Sequence, residues 1–212
     1  MYTDLYNALA AVLTYPGEDY FRRVAHCLAL AQAVVIPSEG EPRRQDAQLS
    51  RDLQGEPESR DLHGAGLLAR CAASLRSLST TQQQELFTQT FDLNPVCSLE
   101  LGWHLFGENY DRGLLLVKMR QQLRLHGLEE STELPDHLTC ALRLLARMDR
   151  ESAATFTEAI VLPALEKMLA ALRGKENPYE NVLEAVRQVL HAAFPEIPVA
   201  AAAAESPLRV LA

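Results

Sequence analysis

Two polar knots, Gly107-Glu108-Asn109-Tyr110-Asp111-Arg112-Gly113 and Glu133-Leu134-Pro135-Asp136-His137-Leu138, carry the residues of this chain best suited to chemistry. With His104 close by, they supply two imidazoles, several carboxylates and one guanidinium. Such a set could bind a metal or move protons. A metal site needs three or four converging ligands at recognisable helical spacing, and no single helix here offers an i, i+3 or i+4 set around His104 or His137. A second reading is structural: Asp111 accepts from the free N–H groups of the helix it opens, and His137 with Asp136 caps another helix start. Arg112 then forks onto Glu133 or Asp136, while Pro135 fixes φ in a first helical turn. If the two helix starts are neighbours, they form a polar rim beside an apolar groove. Phe91, Leu99, Trp103, Phe106 and Leu134 are the groove candidates, each equally readable as plain core.

Other signatures lack their context. Gly64-Ala65-Gly66-Leu67-Leu68-Ala69 matches G-x-G-x-x-A, but a charged stretch precedes it where a dinucleotide site needs a strand. Arg173-Gly174-Lys175 lacks the first P-loop glycine and the following Ser or Thr. The four cysteines, Cys27, Cys71, Cys97 and Cys140, form no CxxC pair and are expected to be buried free thiols in a reducing cytosol. Net charge −8 over 212 residues opposes nucleic-acid binding and favours a basic or apolar peptide. No apolar run approaches the ~20 residues of a membrane span. The N-terminus carries Asp4 and no basic n-region, so a soluble, cytoplasmic protein without direct membrane insertion is expected.

The elements positioning the knots read as helices throughout. Leu5, Leu9 and Val12 mark a helix over 3–14, ended by Tyr15-Pro16-Gly17. Phe21, Val24, Ala25, Leu28, Ala31 and Val35 mark a second, running to Pro37. Over residues 38–60, ten of twenty-three are charged, which predicts a mobile linker or at most one weak helix. Helical spacing returns from Leu62 to Leu78. Thr81 with Gln84 then resembles a capping box opening a helix over 82–91. A short helix over 98–106, one from Asp111 to Gly127 and one from Pro135 through Met148 follow. Two further stripes run from Phe156 to Leu172 and from Tyr179 to Leu190, and an Ala- and Pro-rich tail over 195–212 is expected to fray. No segment alternates like a strand. The prediction is all-α: one helical domain over 1–194, a bundle of about eight or nine helices.

Phe91-Asp92 followed by Leu99, then His104-Leu105-Phe106-Gly107-Glu108 with Asp111-Arg112-Gly113, then Glu133 through Leu138, resemble in order and spacing the respiratory nitrate reductase delta-subunit family. This family, of NarJ type, belongs to the wider TorD/DmsD-like class of redox-enzyme maturation chaperones. The resemblance runs from Ala11–Pro16 to Tyr179–Leu183. It implies a TorD-like bundle without catalysis, binding the N-terminal leader of the apo catalytic subunit of a molybdenum oxidoreductase and keeping it ready for cofactor insertion before docking or export. The molybdenum cofactor then belongs to the client, and none is held stably by the chaperone. Taken with the groove and knots read above, the candidate peptide-binding residues are Phe91, Asp92, Leu99, Trp103, His104, Phe106, Asp111, Arg112, Glu133, Leu134, Pro135, Asp136 and His137. The chain departs from the family pattern at Asn109-Tyr110, at Thr139, where a second proline is common, and at Arg143, where an acid is usual. These departures bear on which client is served: a nitrate reductase or a sister molybdenum enzyme. Two rivals remain, a helical metal-binding enzyme and a permanent structural subunit of a redox complex.

Overall fold

The computed structural model describes residues 2–34, 64–129, 132–197 and 208. The expected linker at 38–60 lies outside the described residues, as does the tail beyond Ile197 apart from Leu208, which packs against the core. Ten α-helices occur among the described residues: α1 (Tyr2–Val12), α2 (Tyr20–Ala33), α3 (Gly64–Arg76), α4 (Thr80–Phe87), α5 (Leu101–Phe106), α6 (Tyr110–Leu125), α7 (Leu138–Leu145), α8 (Arg150–Phe156), α9 (Leu162–Leu172) and α10 (Tyr179–Ala193). A π-helical turn, Thr157–Val161, joins α8 to α9 end to end, which leaves nine separate rods. Pro163 explains this join. It has no N–H for an i−4 bond, and the preceding turn widens so that Leu162 N donates to Thr157 O instead. A second π-helical turn, Thr88–Asp92, extends α4.

The apolar stripes pack α10 on α3, α1 on α2 and α7, and α5 on both α9 and α6. Tyr20, Tyr179, Phe156, Leu5, Leu9 and Leu68 are among the largest fully buried side chains. Phe87, Phe91 and Tyr179 form an edge-to-face aromatic triangle with ring centroids 5.1 to 5.6 Å apart. All four cysteines are buried and free. Among the described residues no helix is long and apolar enough to cross a membrane.

Several helix ends differ from expectation. The second helix stops at Ala33, with Val34 already extended, rather than running to Pro37. The capping box is Ser79 with Gln82, not Thr81 with Gln84. Ser79, Thr80 and Thr81 are each followed three residues later by glutamine, so the pattern alone was degenerate. Gln84 is engaged elsewhere, donating to Pro16 O at 2.9 Å, and buried Gln83 satisfies the carbonyls of Leu75 and Leu78 at the end of α3. The short helix begins at Leu101 rather than Ser98, because Glu100 forms an isolated antiparallel bridge with His137. The longer helix is capped by Asn109, whose side chain accepts from Asp111 N, so Asp111 sits in the first turn and does not cap. Pro135 precedes α7 instead of lying in its first turn, and His137 is the N-cap.

Candidate functional site

The two knots meet. Leu101 N donates to Asp136 O at 2.9 Å and Leu138 N to Leu99 O at 2.8 Å, stitching the approach to α5 against the approach to α7. The Asp136 side chain completes the stitch: Oδ2 accepts from Gly102 N at 3.0 Å, so this carboxylate caps a helix that its own segment does not enter. Only a glycine permits it, since a Cβ at 102 would lie 2.6 Å from Asp136 Oδ2.

Arg112, from the first turn of α6, approaches the same oxygen with Nε at 3.6 Å and lays its guanidinium over the Trp103 ring, 5.5 Å from the centroid. This is one ion contact and not the expected two-bond fork. Arg112 Nε and Asp136 Oδ1 are both buried without a hydrogen bond. Asp136 is fully buried, and burial holds its carboxyl above the usual range while Arg112 and the Gly102 N–H pull it back down.

The imidazoles are tied into structural bonds. His104 Nε2–H donates to Ser98 O at 2.7 Å, and the His104 carbonyl accepts from Lys167 on α9 at 2.6 Å. His137 Nδ1 lies 2.6 Å from Thr139 Oγ1 and accepts from Thr139 N at 3.3 Å, while Nε2 faces Glu133 at 4.0 Å. Burial lowers the pKa of both rings; at His137 it is opposed by Glu133, Glu100 and Asp92. Among the described residues no three His, Cys, Asp or Glu side chains are grouped to hold a metal ion.

The thirteen residues read from the sequence thus separate by depth. Phe91, Leu99, Pro135, Asp136 and His137 are buried; Leu99, Asp136 and His137 belong to the stitched floor, whereas Phe91 packs against Phe87 and Tyr179. Trp103, His104, Phe106, Asp111 and Arg112 are half-buried, and Asp92, Glu133 and Leu134 are exposed, Leu134 at 44%. Trp103 Nε1–H donates to Pro95 O at 2.7 Å, pinning the loop that carries Leu93 and Val96, both well exposed at 73% and 58%. Those two side chains belong with the surface and were missed, although a leucine and a valine flanking Asn94-Pro95 in a turn are a usable signal. Gly102, set among apolar residues in a helical pattern, marks close backbone approach and was also legible. Nothing in the residue pattern announced Glu100 as the partner of His137. The arrangement offers exposed apolar side chains between carboxylates, with both imidazoles committed to holding the backbone in place. It is suited to receiving a segment of another chain.

Comparison with known proteins points the same way. A family model described as nitrate reductase delta subunit matches residues 58–192. The nitrate reductase molybdenum cofactor assembly chaperones NarJ of Escherichia coli K12 and of Escherichia coli O157:H7 are each 30% identical over 135 residues, covering 63% of this chain. The match spans 56% of the length of those relatives. The span of the family model contains both knots and every residue of the stitched floor.

Proposed function

Because the chain belongs to the nitrate reductase delta subunit family, we propose that it is a client-specific assembly chaperone, a binding protein without catalytic residues. Its client is the apo catalytic subunit of a molybdenum oxidoreductase: a nitrate reductase or a sister enzyme of the type II dimethyl sulfoxide reductase family. The chaperone engages the client's N-terminal segment in the cytoplasm, holds the subunit for molybdenum-cofactor insertion, and releases it before membrane docking or export. The observation carrying this reading is the family match across the two knots, which meet where Arg112 approaches Asp136.

In this reading Leu93, Val96, Trp103, Phe106 and Leu134 receive the apolar side of the segment, while Asp92, Asp111 and Glu133 face its basic residues. Asp136 and Arg112 act from beneath by fixing the backbone of the floor. Affinity purification from the native host followed by mass spectrometry should recover a molybdenum-enzyme catalytic subunit as the dominant partner, and the chaperone should be absent from the finished enzyme. By titration calorimetry, Arg112→Ala and Asp136→Ala should each weaken leader-peptide binding by about tenfold, equivalent to roughly 1.4 kcal/mol, with helicity retained. Unchanged affinity in both variants refutes the reading.

A further inference from the structure

The π-helical turn Thr88–Asp92 has no proline to account for it. None lies between Thr80 and Asn94, yet Leu93 N donates five residues back, to Thr88 O at 2.9 Å. The cause comes from the start of α10. The Tyr179 N–H, which can only donate, reaches the Asn177 side chain at 3.0 Å, so the atom it meets is the amide oxygen. The amide NH2 of Asn177 is then the group that donates to Thr90 Oγ1 at 2.8 Å. Because the Leu86 carbonyl can only accept, the Thr90 hydroxyl proton goes to Leu86 O at 2.6 Å. Three bonds of one polarity thus run from α10 to the middle of the π-helical turn. Thr90 is 2% exposed, which keeps water from taking either place on its hydroxyl. A hydroxyl on the carbonyl four residues back competes with the backbone ladder for that acceptor and bends the helix there.

We propose that Asn177 is a positioning residue: by directing the Thr90 hydroxyl onto Leu86 O it holds Thr88–Asp92 in the π register, and so sets Leu93 and Val96 where they meet the client segment. Both exposed side chains leave from the end of this turn, and Trp103 pins the far side of their loop through Pro95 O. In the α register Leu93 N would return to Gln89 O instead. A slip of one residue turns the chain entering the loop by about 100°, which carries Leu93 off the surface it now shares with Val96. The client half of the proposal rests on the leader-binding reading; the register half does not.

Asn177→Asp separates the two bonds of this side chain. Its carboxylate still accepts from Tyr179 N and keeps the start of α10 capped, but it cannot donate, and the Thr90 hydroxyl turns from Leu86 O toward it. The packing of the Tyr179 ring on Phe87 and Phe91 is left in place. Nitrogen–carbon couplings through hydrogen bonds, measured on the labelled protein, should join Leu93 N to the Thr88 carbonyl in the wild type and to the Gln89 carbonyl in Asn177→Asp. Thr90→Val should follow Asn177→Asp, and Thr90→Ser, which keeps the hydroxyl, should follow the wild type. A Leu93–Thr88 coupling that survives Asn177→Asp or Thr90→Val overturns the proposal. For binding, the probe is a synthetic N-terminal peptide of a nitrate reductase catalytic subunit, followed by titration calorimetry. Asn177→Asp, Leu93→Ala and the charge-neutral Thr90→Val should each weaken it by about threefold to tenfold, the loss of part of one apolar contact. Thr90→Val combined with Leu93→Ala should be little worse than either alone, and effects that multiply in full overturn the proposal. If the wild type does not bind the peptide, the leader-binding reading fails, and the coupling measurement still decides whether Asn177 holds the turn.

Discussion

Replacing Gly102 by alanine tests the stitched floor most directly. The added Cβ would lie 2.6 Å from Asp136 Oδ2, 3.0 Å from Leu115 Cδ2 and 3.2 Å from Arg112 Cγ. Leu115 Cδ2 and Arg112 Cγ must each give by a few tenths of an ångström. Asp136 cannot yield cheaply, because the oxygen that clashes is the one accepting from Gly102 N. Relief of the clash therefore breaks the bond. Overpacking of this kind costs about 1–3 kcal/mol, and leaving a buried N–H unpaired costs about 1–3 kcal/mol more. Alanine recovers roughly 0.5–1 kcal/mol over glycine in a helix. The net expectation for Gly102→Ala is a loss of about 1–5 kcal/mol. Gly113 on α6 supplies the control: a Cβ there meets nothing within 4 Å, so Gly113→Ala should gain about 0.5–1 kcal/mol from helix propensity. Urea unfolding followed by far-ultraviolet circular dichroism measures both, with the denaturant slope expected to stay constant. A Gly102→Ala protein as stable as wild type would refute the role of Asp136 as the cap of α5.

Ser79→Ala should cost about 1 kcal/mol in the same assay, since it removes the acceptor for Gln82 N and half of the reciprocal box; a Thr81→Ala protein destabilised more than Ser79→Ala would contradict the cap assignment. Stability should also fall as pH drops below 6.5. His104 and His137 titrate lower when folded than when unfolded, so the unfolded chain takes up the extra protons, and the stability present above pH 6.5 is lost downward from there toward the folded values. Asp136, titrating higher when folded, works in the opposite sense, the folded chain taking up the extra proton as pH falls. Thermal melts at pH 7.5 and 5.5 should differ by several degrees, and equal melting temperatures would show that neither ring is held neutral by the fold.

The all-α architecture was legible because apolar residues at three- and four-residue spacing need no partner information to be read. Helix existence follows from the face that must be buried, and all the predicted rods within the described residues are present. Boundaries were less legible. Ser79, Thr80 and Thr81 offer three equivalent caps, and the choice is made by what Gln83 and Gln84 touch in α3 and near Pro16. The site was half-legible for the same reason. For Arg112 the sequence left Glu133 and Asp136 as alternative partners, and the contact is with Asp136; Asp136 in turn caps α5 and not its own helix, a fact that depends on a neighbour thirty-four residues away in sequence. The bridge between Glu100 and His137, which shortens the helix expected from Ser98, is likewise a tertiary event with no local signature.

The burial of the thiols has a practical side. Burial pushes Cys27, Cys71 and Cys97 up to about 12, and Cys140 is buried as well, so alkylating reagents meet no ready thiolate at neutral pH. A cysteine placed at exposed Val117 on α6 would therefore take up a dye on the wild-type background without any prior removal of native thiols. Trp103, the single tryptophan of the chain, already sits beside Arg112 at the start of that helix. The molecule thus carries its own energy-transfer donor and accepts a site-specific acceptor, so the distance between α6 and the floor can be followed in the intact protein as a candidate peptide is added.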